Sequence, residues 1–360
     1  MQPSLTFTIG KMRIGVHPNS GAFAAMPTAI VEQPDCRIRL RSERLVVHGR
    51  DAVSGEDGPL QAIPLRELER LVINERVQIS TQALAALMRA SVPLVLTSLH
   101  GRFLGTCLPS PRPEGATRLA QYRCASDVGF TMAMARALVL AKIRNQRRVI
   151  QRLAQTRGTD VSLALLALDG LRSFAATAES INQLRGAEGA ASARYFAAWS
   201  EFLPEDFPFD HRSARPPHNP VNACISFGSA LVYPELVARL HLRGLDPALG
   251  WLHATEDGRW SLALDLMEPY RPCLVEALAL HLLSHRILRA EHFAPERGGV
   301  YLNAEGRKLY LLHYERRLTQ ELYSEHRGHR TTLRRDLDQA ALDCKRALTD
   351  PAGFSPFVMN

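Results

Sequence analysis

Pro109-Ser-Pro-Arg-Pro-Glu-Gly115 carries three prolines and a glycine in seven residues. Proline donates no backbone hydrogen bond and fixes its own φ, so such a run continues neither a helix nor a strand. It separates two kinds of sequence. Before it, from Cys36 on, the apolar residues fall mostly in short strand-like runs, with a period of two around residues 37–47; after it, almost everything has helical periodicity. That contrast predicts an α+β chain: a β-rich domain over residues 1–108, a linker over 109–115, and an all-helical domain over 116–360.

Upstream of the linker, residues 1–30 show no clear period. From Cys36, Arg37, Arg39 and Arg41 alternate with Ile38 and Leu40; after Arg41-Ser-Glu-Arg44 the pattern resumes at Leu45-Val-Val47. This reads as a hairpin with one basic face. Ile63-Pro-Leu, Leu71-Val-Ile73 and Val77-Gln-Ile79 read as further short strands. Ser80 caps a helix from Thr81 to Ala90, with Leu84, Leu87 and Met88 on one face. Val92–Leu96 and Arg102–Leu108 read as strands around a turn at His100-Gly101.

Downstream, Phe130 to Arg157 reads as one long helix. No acidic residue occurs between Asp127 and Asp160, whereas Arg136, Lys142, Arg144, Arg147, Arg148, Arg152 and Arg157 do. Arg144, Arg148 and Arg152 share a stripe at i, i+4, i+8, while Leu138, Ile143, Ile150 and Leu153 can face a core. A stripe of like charge is either a solvated face or a phosphate-contacting one. Further helices are expected over 161–180, 181–203, 222–242 and 274–289, with two more across 306–348. Five prolines mark 203–220 as a loop.

The chain has 360 residues, 46% of them hydrophobic and 22% charged, with a formal net charge of +8. This is globular composition with an excess of positive charge suited to a polyanion. Six cysteines lie far apart, so no Cys-x-x-Cys ligand or redox pair exists. Scattered thiols point to a reducing, cytoplasmic setting. No apolar run reaches the ~18 residues of a membrane span, so no membrane is expected as partner. Phosphate-cradling, dinucleotide, metalloprotease and nucleophile-elbow motifs are absent. His281 and His285, at i, i+4 among leucines, read as helix packing.

The chemistry concentrates in His253-Ala-Thr-Glu-Asp-Gly-Arg-Trp-Ser-Leu-Ala-Leu-Asp265-Leu-Met-Glu268, sixteen residues with an imidazole at one end and, after an apolar Leu-Ala-Leu run, the carboxylates Asp265 and Glu268 at the other. Carboxylates suit Mg²⁺, and an imidazole shifts preference toward Mn²⁺. Each residue also has an ordinary reading. Glu268 fits the start of a helix running through Pro272, with Pro269 in its first turn. Asp265 ends an apolar run, and His253 precedes a turn. The best distant ligand is Glu188, among small residues and flanked by Arg185 and Arg194; its ordinary reading is an acid near the start of a helix beginning after Gly186.

Several short motifs recur in order: Lys142-x-x-Asn145-Gln146, Arg185-Gly-Ala-Glu188-Gly, Ala193-Arg-Tyr-Phe196, Arg215-Pro-Pro-His-Asn-Pro-Val-Asn222, Ser226-Phe-Gly228 with Tyr233, Gly250-Trp-Leu-His253, Ser261–Glu268 with Arg271-Pro272, and Gly298-Gly-Val-Tyr-Leu302. Together they make the chain resemble the CRISPR-associated adaptation integrases, the first of the Cas proteins, from about residue 36 to 320. The resemblance implies a β-rich dimerisation domain and a helical, metal-dependent DNA endonuclease/integrase domain. It implies Glu188, His253 and Glu268 as ligands of Mg²⁺ or Mn²⁺, and Asp265 as a further catalytic residue. It places Arg185 and Tyr233 near the site. Lys142, Arg144, Arg148, Arg152, Arg212 and Arg215 are the remaining candidates for DNA contact. The implied partners are double-stranded DNA (protospacer and CRISPR repeat), a second copy of the chain, and a small ferredoxin-like second Cas protein. Pro269 stands where many relatives have an acidic or polar residue. The competing readings are a branched-DNA repair nuclease and a non-catalytic DNA-binding scaffold.

Overall fold

The computed structural model describes residues 6–9, 12–15, 28–31, 33–51, 54–99, 103–109 and 114–360. Contacts divide the chain into two compact units, Met1–Arg112 and Pro113–Asn360. The middle of the proline-rich segment and the His100-Gly101 turn lie outside the described residues.

In the first unit, β1 (Thr6–Ile9) and β2 (Met12–Gly15) pair with each other. The remaining strands are β3 (Thr28–Val31), β4 (Arg37–Arg41), β5 (Arg44–Arg50), β6 (Asp57–Pro64), β7 (Arg70–Asn74), β8 (Gln78–Ile79), β9 (Leu94–Thr97) and β10 (Phe103–Cys107). They form two four-stranded sheets, ordered β10-β9-β7-β3 and β6-β5-β4-β8. The alternation in β4 and β5 does what its period requires: Ile38, Leu45 and Val47 are buried while Arg37, Arg39 and Arg41 face solvent. Helix α1 (Thr81–Arg89) starts where Ser80 Oγ accepts the Ala83 N–H at 3.2 Å, and it seats Leu87 in the core of this unit.

The second unit is built on α3 (Val128–Arg157), which follows α2 (Gly115–Ser126). Asp127 caps α3 by accepting the Phe130 N–H at 2.9 Å, and Gly158, at φ 68°, ends it. Leu138, Ile143 and Ile150 run along its fully buried side. Around it lie α4 (Ser162–Thr177), α5 (Ile181–Ala197), α6 (Pro220–Leu242), α7 (Ser261–Met267), α8 (Ala277–Ser284), α9 (Ala304–Thr319) and α10 (Leu333–Ala347). A π-helical turn, Arg271–Glu276, joins the region after α7 to α8. Such a turn admits an extra residue and re-aims the side chains around it.

Three expectations change. The helical unit also holds two antiparallel hairpins, Phe293–Glu296 with Gly299–Leu302 and Glu321–Ser324 with His329–Thr332, in segments too short to show a period in the sequence. Helix α6 is long and apolar enough, by composition, to cross a membrane, but 67% of its most apolar window is buried inside the protein. Finally, the helix expected to begin at Glu268 does not: α7 runs through Asp265 and ends at Met267, placing Glu268 at its C-terminal boundary.

Candidate functional site

Asp265 is fully buried on α7. Its Oδ2 accepts the backbone N–H groups of Trp251 and Leu252, at 2.5 and 2.9 Å. Its Oδ1 accepts the His253 N–H at 2.9 Å and lies 2.6 Å from His253 Nδ1. One carboxylate therefore folds the 251–253 turn and orients the imidazole, a charged acceptor satisfied almost wholly by backbone donors. Gly250 makes the wrap possible: a Cβ there would stand 2.6 Å from the His253 carbonyl oxygen and 2.7 Å from Ser261 Cβ. With Nδ1 engaged by Asp265, Nε2 is the ring nitrogen available for another group. Burial lowers the His253 pKa, but the Asp265 hydrogen bond and charge, with Glu268 and Glu188 behind them, raise it overall.

Glu188 projects from the middle of α5, not from a helix start, and Ser192 one turn on donates to its Oε1 at 3.0 Å. Glu268 is 4% exposed. The two glutamates meet at a third group: Lys142 Nζ donates to Glu188 Oε1 and to Glu268 Oε2. Arg271 Nη1 reaches Glu268 Oε1 at 3.2 Å, and Arg271 Nε lies 3.5 Å from Glu276 Oε1. Burial pushes the Glu268 carboxyl up, but Lys142 and Arg271 override it and bring it down to about 2. For Glu276 burial wins, and its pKa is raised despite Arg271 and Lys142. In Lys142, burial opposes the charge and the two glutamates restore it, so its pKa is raised.

The two halves are held by packing behind them. Asn145, one turn along α3 from Lys142, donates to the Pro269 and Phe357 carbonyls at 2.7 and 3.0 Å and accepts the Met359 N–H at 2.8 Å. Phe357 stacks on Tyr270 at 4.8 Å, and Phe354 meets Trp251 edge-on at 5.4 Å. Residues 354–359 thus buttress the turn at 251 and the backbone after Glu268 together. Arg185 Nε donates to the Leu252 carbonyl at 2.7 Å, and the Tyr233 hydroxyl accepts the Trp260 N–H at 3.0 Å, so both brace segments beside the site.

Among the described residues, no three His, Cys, Asp or Glu side chains stand close enough to share a metal ion. The ligand set Glu188, His253 and Glu268 is therefore not gathered ready-made: the glutamates converge on an ammonium, and His253 is paired with Asp265. The residues nonetheless fit a divalent cation. Two carboxylates from different elements already aim at one point of positive charge, beside an imidazole whose second nitrogen is fixed by an acid.

The basic residues sort differently from the sequence reading. Lys142, grouped there with the phosphate-contacting residues, is 1% exposed and points at the acids, so it does not belong to a surface stripe. Arg212 is largely withdrawn too. It donates to Asn222 Oδ1 at 2.9 Å and Ser226 Oγ at 3.0 Å, and burial, with Arg271 nearby, lowers its pKa to about 10. Arg148 donates to the Asn360 carbonyl at 2.5 Å, whereas Arg144, Arg152, Arg185 and Arg215 are exposed. Of the cations that meet the acids, Lys142 is read in the sequence only as a DNA contact and Arg271 stands in its motif without a role. Lys142 does carry a signal: it lies between Ala141 and Ile143, in phase with the buried Leu138 rather than with Arg144.

The family model described as "CRISPR associated protein Cas1" matches residues 29–316. The chain is 32% identical over 323 residues to CRISPR-associated endonuclease Cas1 1 of Thermus thermophilus, covering 89% of this chain and 96% of that one. It is 34% identical over 310 residues to a CRISPR-associated exonuclease Cas4/endonuclease Cas1 fusion of Rhodospirillum rubrum, covering 84% of this chain and spanning about half (52%) of the fusion. Its fold is shared with a casposase solved bound to integration product, at a TM-score of 0.79 and 19% identity over 91% of each chain. The strand-rich first unit and helical second unit thus make this an α+β chain of the fold that the casposase shares. The chain belongs to the Cas1 family.

Proposed function

We propose that this chain is a divalent-metal-dependent DNA integrase and endonuclease of CRISPR adaptation, joining short duplex DNA into a repeat array through attack of a 3′-hydroxyl on a phosphodiester. The observation that carries this reading is the convergence of Glu188 and Glu268 on one point of positive charge, with both acids close enough to act electrostatically on the imidazole that Asp265 orients.

Glu188, His253 and Glu268 would hold Mg²⁺ or Mn²⁺, which supplies polarisation of the phosphoryl oxygen and stabilisation of the attacking or departing 3′-oxygen. The chain's own residues set the stage. Asp265 fixes the imidazole tautomer, and its four hydrogen-bonding contacts leave it a positioning residue rather than a ligand. Lys142, and after it Arg271, keep Glu268 ionised. The exposed Arg144 and Arg152 stand on one face of α3, where phosphates would be drawn by counterion release. Water in place of the 3′-hydroxyl gives nicking at the same site.

The partners proposed are protospacer and repeat DNA, a second copy of the chain, and the small second Cas protein. In a half-site integration assay with metal titration, wild-type joining depends on added Mn²⁺ or Mg²⁺. Glu188→Ala and His253→Ala abolish joining while DNA binding persists. Full joining by either variant removes the site from the reaction. Joining or nicking that ignores chelator favours the scaffold reading.

A further inference from the structure

The reaction proposed above gives no role to the group at the centre of its own site. Lys142 projects from the buried side of α3, its side chain 2% exposed, and its ammonium contacts Glu188 and Glu268, which come from separate elements. Its two partners are not equally served. Glu268 also has Arg271 at 3.2 Å, whereas among the described residues the Glu188 carboxylate is otherwise met by the Ser192 hydroxyl. Among the described residues the ammonium is thus the cation in ion-pair contact with Glu188, and it draws the two acids to one point.

A hard divalent cation bound by the same two carboxylates would need the same oxygens. We infer that Lys142 is an internal counter-ion that competes with the catalytic cation: it holds Glu188 and Glu268 together while no metal is bound and gives up its contacts when metal enters. This rests on the reading of Glu188, His253 and Glu268 as the metal site. Two consequences follow. The fold keeps its acids paired without metal, and metal affinity is set below what the carboxylates alone would give, because each binding event must displace an ammonium.

The experiment is a Mn²⁺ binding isotherm, read by the electron paramagnetic resonance of free Mn²⁺, on the full-length wild type, Lys142→Met and Glu188→Ala. Lys142→Met keeps the apolar stem and removes the charge. Its half-saturation should fall at least tenfold below the wild-type Mn²⁺ concentration. Its thermal midpoint should drop by several degrees in chelator and recover with Mn²⁺ by more than the wild type gains. Equal or weaker Mn²⁺ binding by Lys142→Met overturns the competition while leaving the metal site standing. Equal uptake by all three proteins shows that the ion binds elsewhere, and the metal reading falls with it.

A measurement on the wild type guards against a variant that does not fold. The chain has four lysines, at 11, 142, 308 and 345. In ¹⁵N-lysine-labelled protein, the ammonium signal that disappears in Lys142→Arg should shift or vanish when Mg²⁺ saturates the wild type. An unchanged signal at saturation contradicts displacement.

Discussion

Asp265 and Glu268 lie three residues apart, both buried, and the protein neutralises them in opposite ways. Asp265 is balanced by three peptide N–H groups and an imidazole. Glu268 is balanced by two full cations, Lys142 and Arg271, each of which also contacts another acid. Backbone dipoles cannot leave, so the turn around Asp265 is permanent architecture. Side-chain cations can be exchanged for another cation, so the cluster around Glu268 is where an ion can enter. On the proposed function, the difference gives a structural role to the first acid and a chemical one to the second.

The largest expected effect breaks the first half of that comparison. Asp265→Ala strands three buried N–H donors and the imidazole. Each stranded donor costs about 1–3 kcal/mol, so a loss of several kcal/mol of folding free energy is expected, read as a shift of the urea midpoint. Glu268→Gln should cost far less, because Lys142 keeps Glu188 and Arg271 keeps Glu276, yet strand joining should fall by about 100-fold or more, comparable to losing one preorganised electrostatic group. Equal destabilisation by the two variants would erase the distinction between them.

Gly250→Ala probes the same turn more gently. The added methyl meets backbone and Ser261, so the wrap around Asp265 must open. A loss of about 1–3 kcal/mol, the usual cost of overpacking, is expected in chemical denaturation. Joining should weaken with it, because His253 loses its orientation.

The smallest effect is in pH. The folded-state pKa of His253 is raised, so its pairing with Asp265 contributes stability that is fully present below the ordinary imidazole range and lost as pH rises through the raised value. The stability gap between wild type and His253→Asn should therefore be widest in mildly acidic buffer and narrow above neutrality. A gap that widens with pH would reverse the assigned sign.

How much of this is legible in the sequence follows from the same physics. The period-two run at 37–47 fixes a hairpin because burying Ile38, Leu45 and Val47 leaves the arginines outside. The acid-free α3 is equally plain. The four acid and imidazole side chains of the proposed site are named through the family resemblance, and their division of labour is not legible in the sequence. Leu262-Ala-Leu264 ahead of Asp265 suggests an apolar run before a turn, whereas those residues lie within α7, and only three-dimensional contact shows Asp265 collecting N–H groups twelve to fourteen residues upstream. Grouping Lys142 with the arginines counts charge without phase. The buttress of Phe354 on Trp251 and of Phe357 on Tyr270 joins residues 103 and 87 positions apart, contacts that no local pattern announces.

The central claim is that Glu188, His253 and Glu268 take a single divalent cation at the point now held by Lys142. A crystal of the protein soaked in Mn²⁺, with data collected at the manganese absorption edge, tests it most directly. One anomalous peak within coordination distance of the two glutamates and His253 Nε2, with the Lys142 ammonium withdrawn from both acids, is the predicted result. Manganese bound only elsewhere, with Lys142 still bridging Glu188 and Glu268, would contradict it.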